Sequence, residues 1–593
     1  MFLRFSRSSA RCAFRSRFSF HQSRRPAARE DIEVKLRPKR GVLDPARCFI
    51  ACVLAGVLAL LLTSCTVGPD FHAPHADVPA QWHDTQRTAA NAAAASDVSA
   101  NGASASTANV ASVPTLDTDP DPRWWRSFND PTLDALIARA ALGNLDLQEA
   151  VLRIVEARSQ VQSAAAQGLP NLRATGSYQR EQLGLKGLLQ EDGVYDKVDR
   201  LGAPNSPVNA IAPGAGAALQ NGANNVLDQL SAPINLWQVG FDATWELDLF
   251  GRVRRSVEAA NAQTEAAYES RNDALLSLEA EVAQTYVQLR GAQTLHDIAG
   301  SLVEQQSETV RLTESQAKVG LASQLDVQSA KAQLAQTKTQ LPQYDQQIAQ
   351  ALNALAYLVG EPPGALEAQL STPQAVPPVP PVVPVGLPST LARRRPDIRR
   401  AEANLHAATA SVGVAVAQFY PDVSLTGKAG TRATNASDLA RWSHLFYSFG
   451  PSVSLPIFQG GALVANLRIS KAREAETALD YRKTVLIALR DVDNALVVYR
   501  TDQARRDALA DSVAAQQTSF DLARDSYRKG LTSFINVLDA QRQLAQAREQ
   551  YAQGTTQVST DLVSLYKALG GGWQSDADAT RATGAARPPG SGG

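Results

Sequence analysis

Residues 237–251 have the sequence Trp-Gln-Val-Gly-Phe-Asp-Ala-Thr-Trp-Glu-Leu-Asp-Leu-Phe-Gly, which contains a change from one periodicity to another. Up to residue 249, apolar side chains alternate with polar residues or glycine, and this period of two predicts a β-strand with one apolar face. The pattern then changes: residues 252–319 hold no proline, only two glycines and many Ala, Glu, Gln and Leu. These residues favour a single helix of about 100 Å, far longer than a globular core requires.

Apolar residues recur at heptad spacing within this predicted helix, so one of its faces should pack against other helices. They are Leu275, Leu278, Val282, Leu289, Ala292, Ala299, Val303 and Val310. A second long helix is predicted to open at Gly460-Gly461, with a similar series that includes Val485, Ala488, Val492, Tyr499 and Phe520.

Three other stretches alternate in the same way and predict three further strands: residues 172–179, 423–429 and 447–457. Strands of about 9–13 residues are long enough to cross a bilayer when tilted. The alternation fits a soluble sheet with one buried face equally well. In a membrane, four strands would leave open edges with unpaired backbone groups, whereas three copies would supply the 12 strands of a closed barrel.

The chain contains an internal duplication. At an offset of 210 residues, positions 320–336 and 530–546 share nine identities in 17. In each copy the long helix ends at a glycine, Gly320 or Gly530, placed for a left-handed turn. The short helices that precede and follow have a summed length close to that of the long helix, so two of them stacked end to end would pair with it.

The amino terminus predicts export. Residues 1–47 hold thirteen Lys/Arg and four Asp/Glu, and residues 48–64 hold no charge, so in a chain of net charge zero the remainder carries about −9. An apolar run from Cys48 to Leu62 fits a signal-peptide core. It leads into Leu62-Thr63-Ser64-Cys65, which resembles a bacterial lipobox and implies acylation at Cys65. A chance cysteine after an apolar run is the alternative.

The predicted organisation follows the chain in order. It comprises a signal peptide with an extended or mis-called start (1–64), a lipid-anchored tether (65–123), a first repeat (124–360) with a long loop at 181–233 and one return helix, an extended Pro-rich linker (361–388), a second repeat (389–572) and a flexible tail (573–593).

No catalytic motif, metal site or cofactor site is predicted. The sequence has no phosphate-binding Gly-Lys-Thr and no HExxH, and the spacing of His72, His75 and His83 fits no compact metal site. The acidic balance after Cys65 argues against nucleic acid as a partner.

Several motifs in a fixed order resemble the outer membrane efflux proteins, the TolC-type channel-tunnel family, in the lipoprotein branch that serves RND-type pumps. The matching stretches are Cys65–Asp70, Trp124-Trp125, Asn144–Asp146, Trp245–Gly251, Val319–Leu321, Arg394–Asp397 and Tyr420-Pro421. The resemblance implies a mainly helical fold with membrane β-strands, and a homotrimer in the outer membrane whose 12-stranded barrel continues into a periplasmic barrel of 12 helices.

The implied function is that of a passive exit duct, which receives substrates from an inner-membrane pump and a periplasmic adaptor protein. Two alternatives stay open: an envelope-spanning lipoprotein scaffold without a channel, and the exit duct of a type I protein secretion system. The resemblance also implies that the helix turns dock the adaptor, through Val319, Gly320, Leu321, Ser323, Gly530, Leu531 and Ser533.

A periplasmic gate is expected just beyond these turns. The resemblance places acidic rings at the positions of Asn536 and Asp539, so the asparagine weakens one ring. It also implies that Asp326 and Tyr527 bond across helices to an arginine. Thr532 holds that arginine's position here, and Arg528, one turn away, is the candidate substitute.

Overall fold

The computed structural model describes residues 66–75, 78–83, 113–115, 120–182 and 184–574. The predicted signal peptide, the acylation site at Cys65, residues 88–112 of the predicted tether and nearly all of the predicted tail lie outside these residues.

The strands form two sheets. A four-stranded antiparallel sheet has the order β2-β3-β5-β6, with β2 and β6 at its edges. Its strands are β2 (Asn171–Glu181), β3 (Ile234–Glu246), β5 (Asp422–Ala433) and β6 (Leu445–Ser454). A small parallel pair joins β1 (Val113–Thr115) to β4 (Val382–Pro384).

The register of the large sheet gathers its apolar residues on one face. Ala174, Phe241, Ala429 and Tyr447 form one row of directly paired residues across the four strands. The neighbouring row on the opposite face includes Arg173, which lies opposite Asp242, and Lys428, which lies opposite the same aspartate. Because paired residues share a face, the predicted alternation of each strand becomes one apolar and one polar surface.

Two helices of 67 residues each follow β3 and β6. They are α7 (Arg252–Lys318) and α13 (Ala462–Arg528). Each begins after a glycine with positive φ, Gly251 at 83° and Gly461 at 86°, which lets the chain turn from the sheet into the helix. The prediction of two very long helices is therefore confirmed.

Shorter helices pack along the long ones. The bounds of the helices around α7 are α1 (Pro131–Gly143), α2 (Leu145–Ala166), α8 (Gln324–Lys338) and α9 (Leu341–Leu358), and those of the second repeat are α11 (Pro388–Arg394), α12 (Pro396–Ala417) and α14 (Phe534–Leu569). Helices α2, α8 and α9 lie on α7, whereas α12 and α14 each contact both α7 and α13.

The predicted single return helix of the first repeat is wrong, because it divides into α8 and α9. Pro342 has no N–H for the carbonyl group of Lys338, and its ring interferes with that turn. Thr339 and Gln340 instead donate to the carbonyl groups of Gln336 and Thr337, at 3.2 and 3.0 Å. The matching helix of the second repeat, α14, runs unbroken for 36 residues.

The prediction of a long loop at 181–233 is also wrong. This segment forms four helices, and its glycines mark helix starts: Gly184, Gly193 and Gly214 have positive φ and directly precede helices, while the Ser206 side chain caps another. The helices are α3 (Leu185–Glu191), α4 (Val194–Gly202), α5 (Pro207–Ile211) and α6 (Ala215–Ser231).

The Pro-rich segment 361–388 is packed rather than a free extended linker. It contains the short helix α10 (Glu367–Leu370) and strand β4, and it buries Leu366 and Val383 completely. The buried Arg290 of α7 holds it by donating to the carbonyl oxygen of Thr372 at 2.9 Å and to the side chain of Gln374 at 3.1 Å. Apolar side chains at 366, 370, 383 and 385 supply the burial that the prolines alone did not predict.

In the described part of the predicted tether, Trp82 is packed as well. Trp82 is 1% exposed and donates its indole N–H to the carbonyl oxygen of Gly386. It belongs to the main core, which surrounds the middle of both long helices and includes Trp124, Tyr286 and Tyr499. None of the helices in the described part of the chain combines the length and the apolar character that crossing a membrane would need.

Candidate docking tips and gate

The two long helices end in turns of the same geometry. Leu321 donates its N–H to the carbonyl oxygen of Gln316 at 2.8 Å, and Gly320, with φ of 75°, donates to Ala317 at 3.1 Å. Leu531 and Gly530 repeat this arrangement with Ser526 and Tyr527, both at 2.9 Å. This is the Schellman motif, in which the glycine takes the left-handed conformation that closes the helix.

The turns present apolar side chains to solvent. Leu321 is 78% exposed and Leu531 is 77% exposed, and Val319, Leu325 and Ile535 beside them are also exposed. A Cβ atom added at Gly320 or at Gly530 would have no heavy atom within 4 Å. These two surfaces, residues 319–325 and 529–535, are called the docking tips below. Exposed apolar clusters of this kind are typical of interaction sites.

The tips differ at the start of the helix that follows. At the first tip, Ser323 and Asp326 form a capping box: the serine Oγ accepts the N–H of Asp326 at 3.1 Å, and the carboxylate accepts the N–H of Ser323 at 3.0 Å. At the second tip, Ser533 starts α14 without a side-chain cap, and Asn536, which holds the position that matches Asp326, donates to Thr532 Oγ1 at 2.6 Å.

An apolar cluster joins the two tips into one unit. Phe534 packs there with Val310 and Ala330, and the ring of Tyr527 lies 5.4 Å from that of Phe534. The Tyr527 hydroxyl donates to Gln316 Oε1 at 3.1 Å. Burial, followed by the nearby negative charge of Asp326, raises the pKa of Tyr527, so this phenol stays neutral.

The predicted gate residues are only partly brought together within one chain. Asp326 and Tyr527 are close enough to interact electrostatically. The Arg528 side chain is exposed and forms no hydrogen bond or ion pair with any residue that the structure describes, so it does not link them within the chain. Asp539 is exposed on α14, where Arg542 and Gln543 both donate to its carboxylate at 2.7 Å. The hydrogen bond from Arg542 is the main cause that lowers the pKa of Asp539.

Sequence reasoning missed the partners of these groups. Arg542, three residues after Asp539, follows the i, i+3 rule for ion pairs and was detectable. Gln316, which accepts from Tyr527, lies 211 residues away, so only the fold identifies it. Within the described ranges, no three His, Cys, Asp or Glu side chains are grouped as a metal site would require.

The amino-terminal segment is bound where the sheet meets the helices. Val67 donates to the carbonyl oxygen of Phe250 at 3.2 Å, and a Cβ atom on Gly251 would lie 3.0 Å from Thr66 Cα. Arg255, almost fully buried, holds the segment by donating to the carbonyl oxygen of Val67 at 3.3 Å and to the Asp70 carboxylate at 2.6 Å. Arg255 was not predicted, although it is a cation in the first turn of a helix, where the helix dipole disfavours it.

These features define a class of protein. An antiparallel sheet with one apolar face, continued by paired helices of about 100 Å, is the architecture of outer-membrane channels with a periplasmic helical extension.

The chain belongs to the outer membrane efflux protein family, whose profile matches residues 136–361 and 387–571. The antibiotic efflux pump outer membrane protein ArpC of Pseudomonas putida is 32% identical over 518 residues, which are 87% of this chain and 94% of that protein. Nodulation protein T of Rhizobium leguminosarum bv. viciae is 30% identical over 522 residues, 88% of this chain and 93% of that protein.

Solved structures agree with this assignment. The outer-membrane channel OprN superposes with a TM-score of 0.68 at 32% identity, over 86% of this chain and all of that one. CusC superposes with a TM-score of 0.65 at 25% identity, again over 86% of this chain and all of that one. The predicted family and fold class are confirmed: the protein is an outer-membrane efflux channel, a transport protein and not an enzyme.

Proposed function

We propose that three copies of the chain form one channel with a 12-stranded barrel. The sheet supports this because β2 and β6 are open edges, and an open edge in lipid leaves backbone groups unpaired at a cost of several kcal/mol each. Pairing β2 of one chain with β6 of the next removes every edge when the ring closes at three. The apolar face then meets lipid, and the polar face lines the lumen.

The channel serves as the exit duct of a tripartite efflux system. In this proposal an inner-membrane pump of the RND type passes substrates to the duct, and a periplasmic adaptor protein docks on the two tips. The exposed apolar residues Leu321 and Leu531 favour a protein partner there. The length of α7 supports the arrangement, since it separates the tips from the sheet by about 100 Å.

Acylation of Cys65 anchors the amino terminus to the inner leaflet of the outer membrane. The proposal is supported by the next residue, Thr66, which lies against Gly251 at the end of the sheet that meets the helices. In a barrel whose strands cross the membrane, that end is the periplasmic rim, so an acyl chain on residue 65 would reach the adjacent lipid without stretching the segment.

Below the barrel, the tips close the duct. Three copies of Asp539 form an acidic ring that attracts cations, while Asn536 leaves the neighbouring ring uncharged. Asp326 and Tyr527 hold the tips in register, and Arg528 contributes a contact to a neighbouring chain rather than within its own. The exposure of Asp539 and of Arg528 in the single chain supports both assignments.

One observation carries the proposed function: the open-edged sheet with an apolar face lies at one end of the continuous helices, and the exposed tips lie at the other. Purified protein, reconstituted in planar bilayers, should show single-channel conductance and run as a heat-modifiable trimer. Expression with a matching pump and adaptor should restore drug export in a strain that lacks its own duct. Purified protein that neither inserts in lipid nor conducts would favour the scaffold instead.

A further inference from the structure

A small helical subdomain connects the far ends of β2 and β3. Residues 184–231, called the outer cap below, contain α3, α4, α5 and α6. Glu181 and Ile234, which flank it, are paired at the last position of the β2–β3 ladder, remote from α2 and α7. In the proposed channel this position is the rim of the barrel on the outer side of the membrane.

The outer cap has no apolar core of its own. Helix α6 packs against α3, α4 and α5, and polar contacts such as Lys186 with Asp228 at 3.5 Å and Gln220 with Asp199 at 2.8 Å hold the helices together. Of residues 184–231, all of which the structure describes, the only buried ones are Ser206, Gly216 and Ser231. Helices normally bury an apolar stripe, so this subdomain needs a partner surface to do so.

The stripe that needs covering is on α6. Leu219, Gly222, Val226 and Leu230 follow at spacings of three and four residues, which places them on one helix face, and all four are exposed. They span about 17 Å along the helix. The other side of α6 is already occupied by the remaining helices of the cap.

A matching apolar group lies on the connection between β5 and β6. Trp442 is 84% exposed at the outer end of that hairpin, three residues before β6 begins. The turn that carries it is ordered: Arg441 forms an ion pair with Asp438 at 3.3 Å and donates its N–H to the carbonyl oxygen of the same residue at 3.0 Å. Tryptophan is enriched among the residues that contribute most of the binding energy at protein interfaces.

Ring closure places these two surfaces side by side. When β2 of one chain pairs with β6 of the next, the strands are antiparallel, so the end of β2 at Glu181 and the start of β6 at Leu445 lie at the same rim. The outer cap follows directly from β2, and Trp442 directly precedes β6. Within one chain, these two edges lie on opposite sides of the sheet.

We propose that the apolar stripe of α6 packs on Trp442 of the neighbouring chain, so that each outer cap locks one seam of the barrel at the outer rim. The proposal rests on the trimeric channel proposed above. It assigns a second copy of this chain as the partner, because the seam supplies both the proximity and an exposed aromatic residue that fits the stripe. The subdomain is thereby an intersubunit clamp rather than a loop.

Cysteine cross-linking tests the contact, since the sequence has no cysteine after residue 65. In the full chain, Val226→Cys combined with Trp442→Cys should give covalent dimers and trimers with a short bismaleimide in membranes. Ile211→Cys combined with Trp442→Cys is the control, because Ile211 is an apolar residue of the cap that is even more exposed than Val226 but is not on the stripe. This control and both single variants should remain monomeric after heating in detergent.

Trp442→Ala should also lower the temperature at which trimers dissociate in detergent. Trp442→Phe should dissociate at a temperature close to that of the wild type. If trimers of the double variant form but do not cross-link, the proposed contact is wrong, and lipid or another protein covers the apolar stripe instead. Cross-linking by Val226→Cys alone would show that the caps meet one another, which also overturns the assignment to Trp442. Wild-type protein that forms no trimers overturns the channel proposal itself.

Discussion

Asn144 and Arg395 hold matching positions in the two repeats, each at the joint between two stacked short helices. Asn144 starts α2 by accepting the N–H of Leu147 at 3.0 Å, and it donates to the last turn of α9, at the Leu358 carbonyl oxygen, at 3.1 Å. Arg395 starts α12 and donates to the Ala568 carbonyl oxygen in the last turn of α14 at 3.0 Å. One side chain in each repeat thus connects the end of one helix to the start of another.

Replacing Asn144 should destabilise the first joint. Asn144→Ala leaves the Leu147 N–H and the Leu358 carbonyl unpaired at a buried site, which costs about 1–3 kcal/mol. Asn144→Ser keeps an acceptor for the helix start but does not reach Leu358, so it should lower the free energy of unfolding by less than Asn144→Ala does. Thermal unfolding followed by circular dichroism measures both. Equal stability of the wild type and Asn144→Ala would show that the hydrogen bonds of Asn144 do not stabilise this joint.

The two tips differ in the residue three positions after the capping serine, which is Asp326 at the first tip and Asn536 at the second, and each can be replaced by the other type. Asn536→Asp should create a capping box with Ser533 and stabilise the first turn of α14 by roughly 0.3–1.5 kcal/mol, and Asp326→Asn should weaken the turn at Ser323 by a similar amount. Hydrogen exchange of the first-turn amides should therefore slow in α14 and accelerate in α8. Unchanged exchange in both variants would contradict the capping assignment.

Bulky residues at the two tip glycines should block export while the trimer stays intact in the membrane. Gly320→Leu and Gly530→Leu place a side chain on the docking surface and force a left-handed residue, which costs about 1–2 kcal/mol each. Gly364→Leu is the control, because Gly364 also has positive φ and open surroundings but lies outside the tips. Export should fall to background in the tip variants alone. Loss of export in the control as well would point to backbone strain.

Asp539 should set the cation preference of the channel. Asp539→Ala should reduce both the cation preference of the conductance and its block by multivalent cations, while Asp521→Ala, another exposed carboxylate paired with an arginine, should not. The hydrogen bond from Arg542 lowers the pKa of Asp539, so its charge, and the block, persist as pH falls until that lowered pKa is reached.

Arg542→Ala provides the corresponding pH test. Without that hydrogen bond the pKa of Asp539 rises, so the block should be lost at a higher pH than in the wild type. Conductance titrations in bilayers compare the two midpoints. Identical selectivity and block in intact trimers of Asp539→Ala would place this residue away from the conducting path.

Cys65 should be the mature amino terminus and carry the acyl chains. Intact-mass spectrometry of membrane-extracted protein should show a chain that begins at residue 65 with added lipid mass, and Cys65→Ser should leave the chain unprocessed. Cys52→Ser, which changes another cysteine in the same apolar run, should be processed normally. A mature terminus elsewhere with an unmodified Cys65 would exclude the anchor.

Local patterns in the sequence determined the elements of this fold. Alternation at 237–249 specified a strand because side chains in a strand point to opposite faces, and the absence of proline from 252 to 319 allowed one helix. The repeated Gly-Leu at 320 and 530 specified two helix ends, because only a left-handed residue closes the turn without strain. Pro342 also indicates the break between α8 and α9, although the predicted return helix continued through this residue.

The tertiary structure alone decided which of these elements meet. Trp82 lies in a segment whose composition is typical of a tether, yet it packs in the main core and donates its indole N–H to Gly386, 304 residues away. The joints at Asn144 and Arg395, the hold of Arg255 on Asp70 and the partner of Tyr527 all depend on contacts between distant segments. Sequence periodicity reports which face of an element is apolar, whereas the surface that covers that face is set by packing across the whole chain.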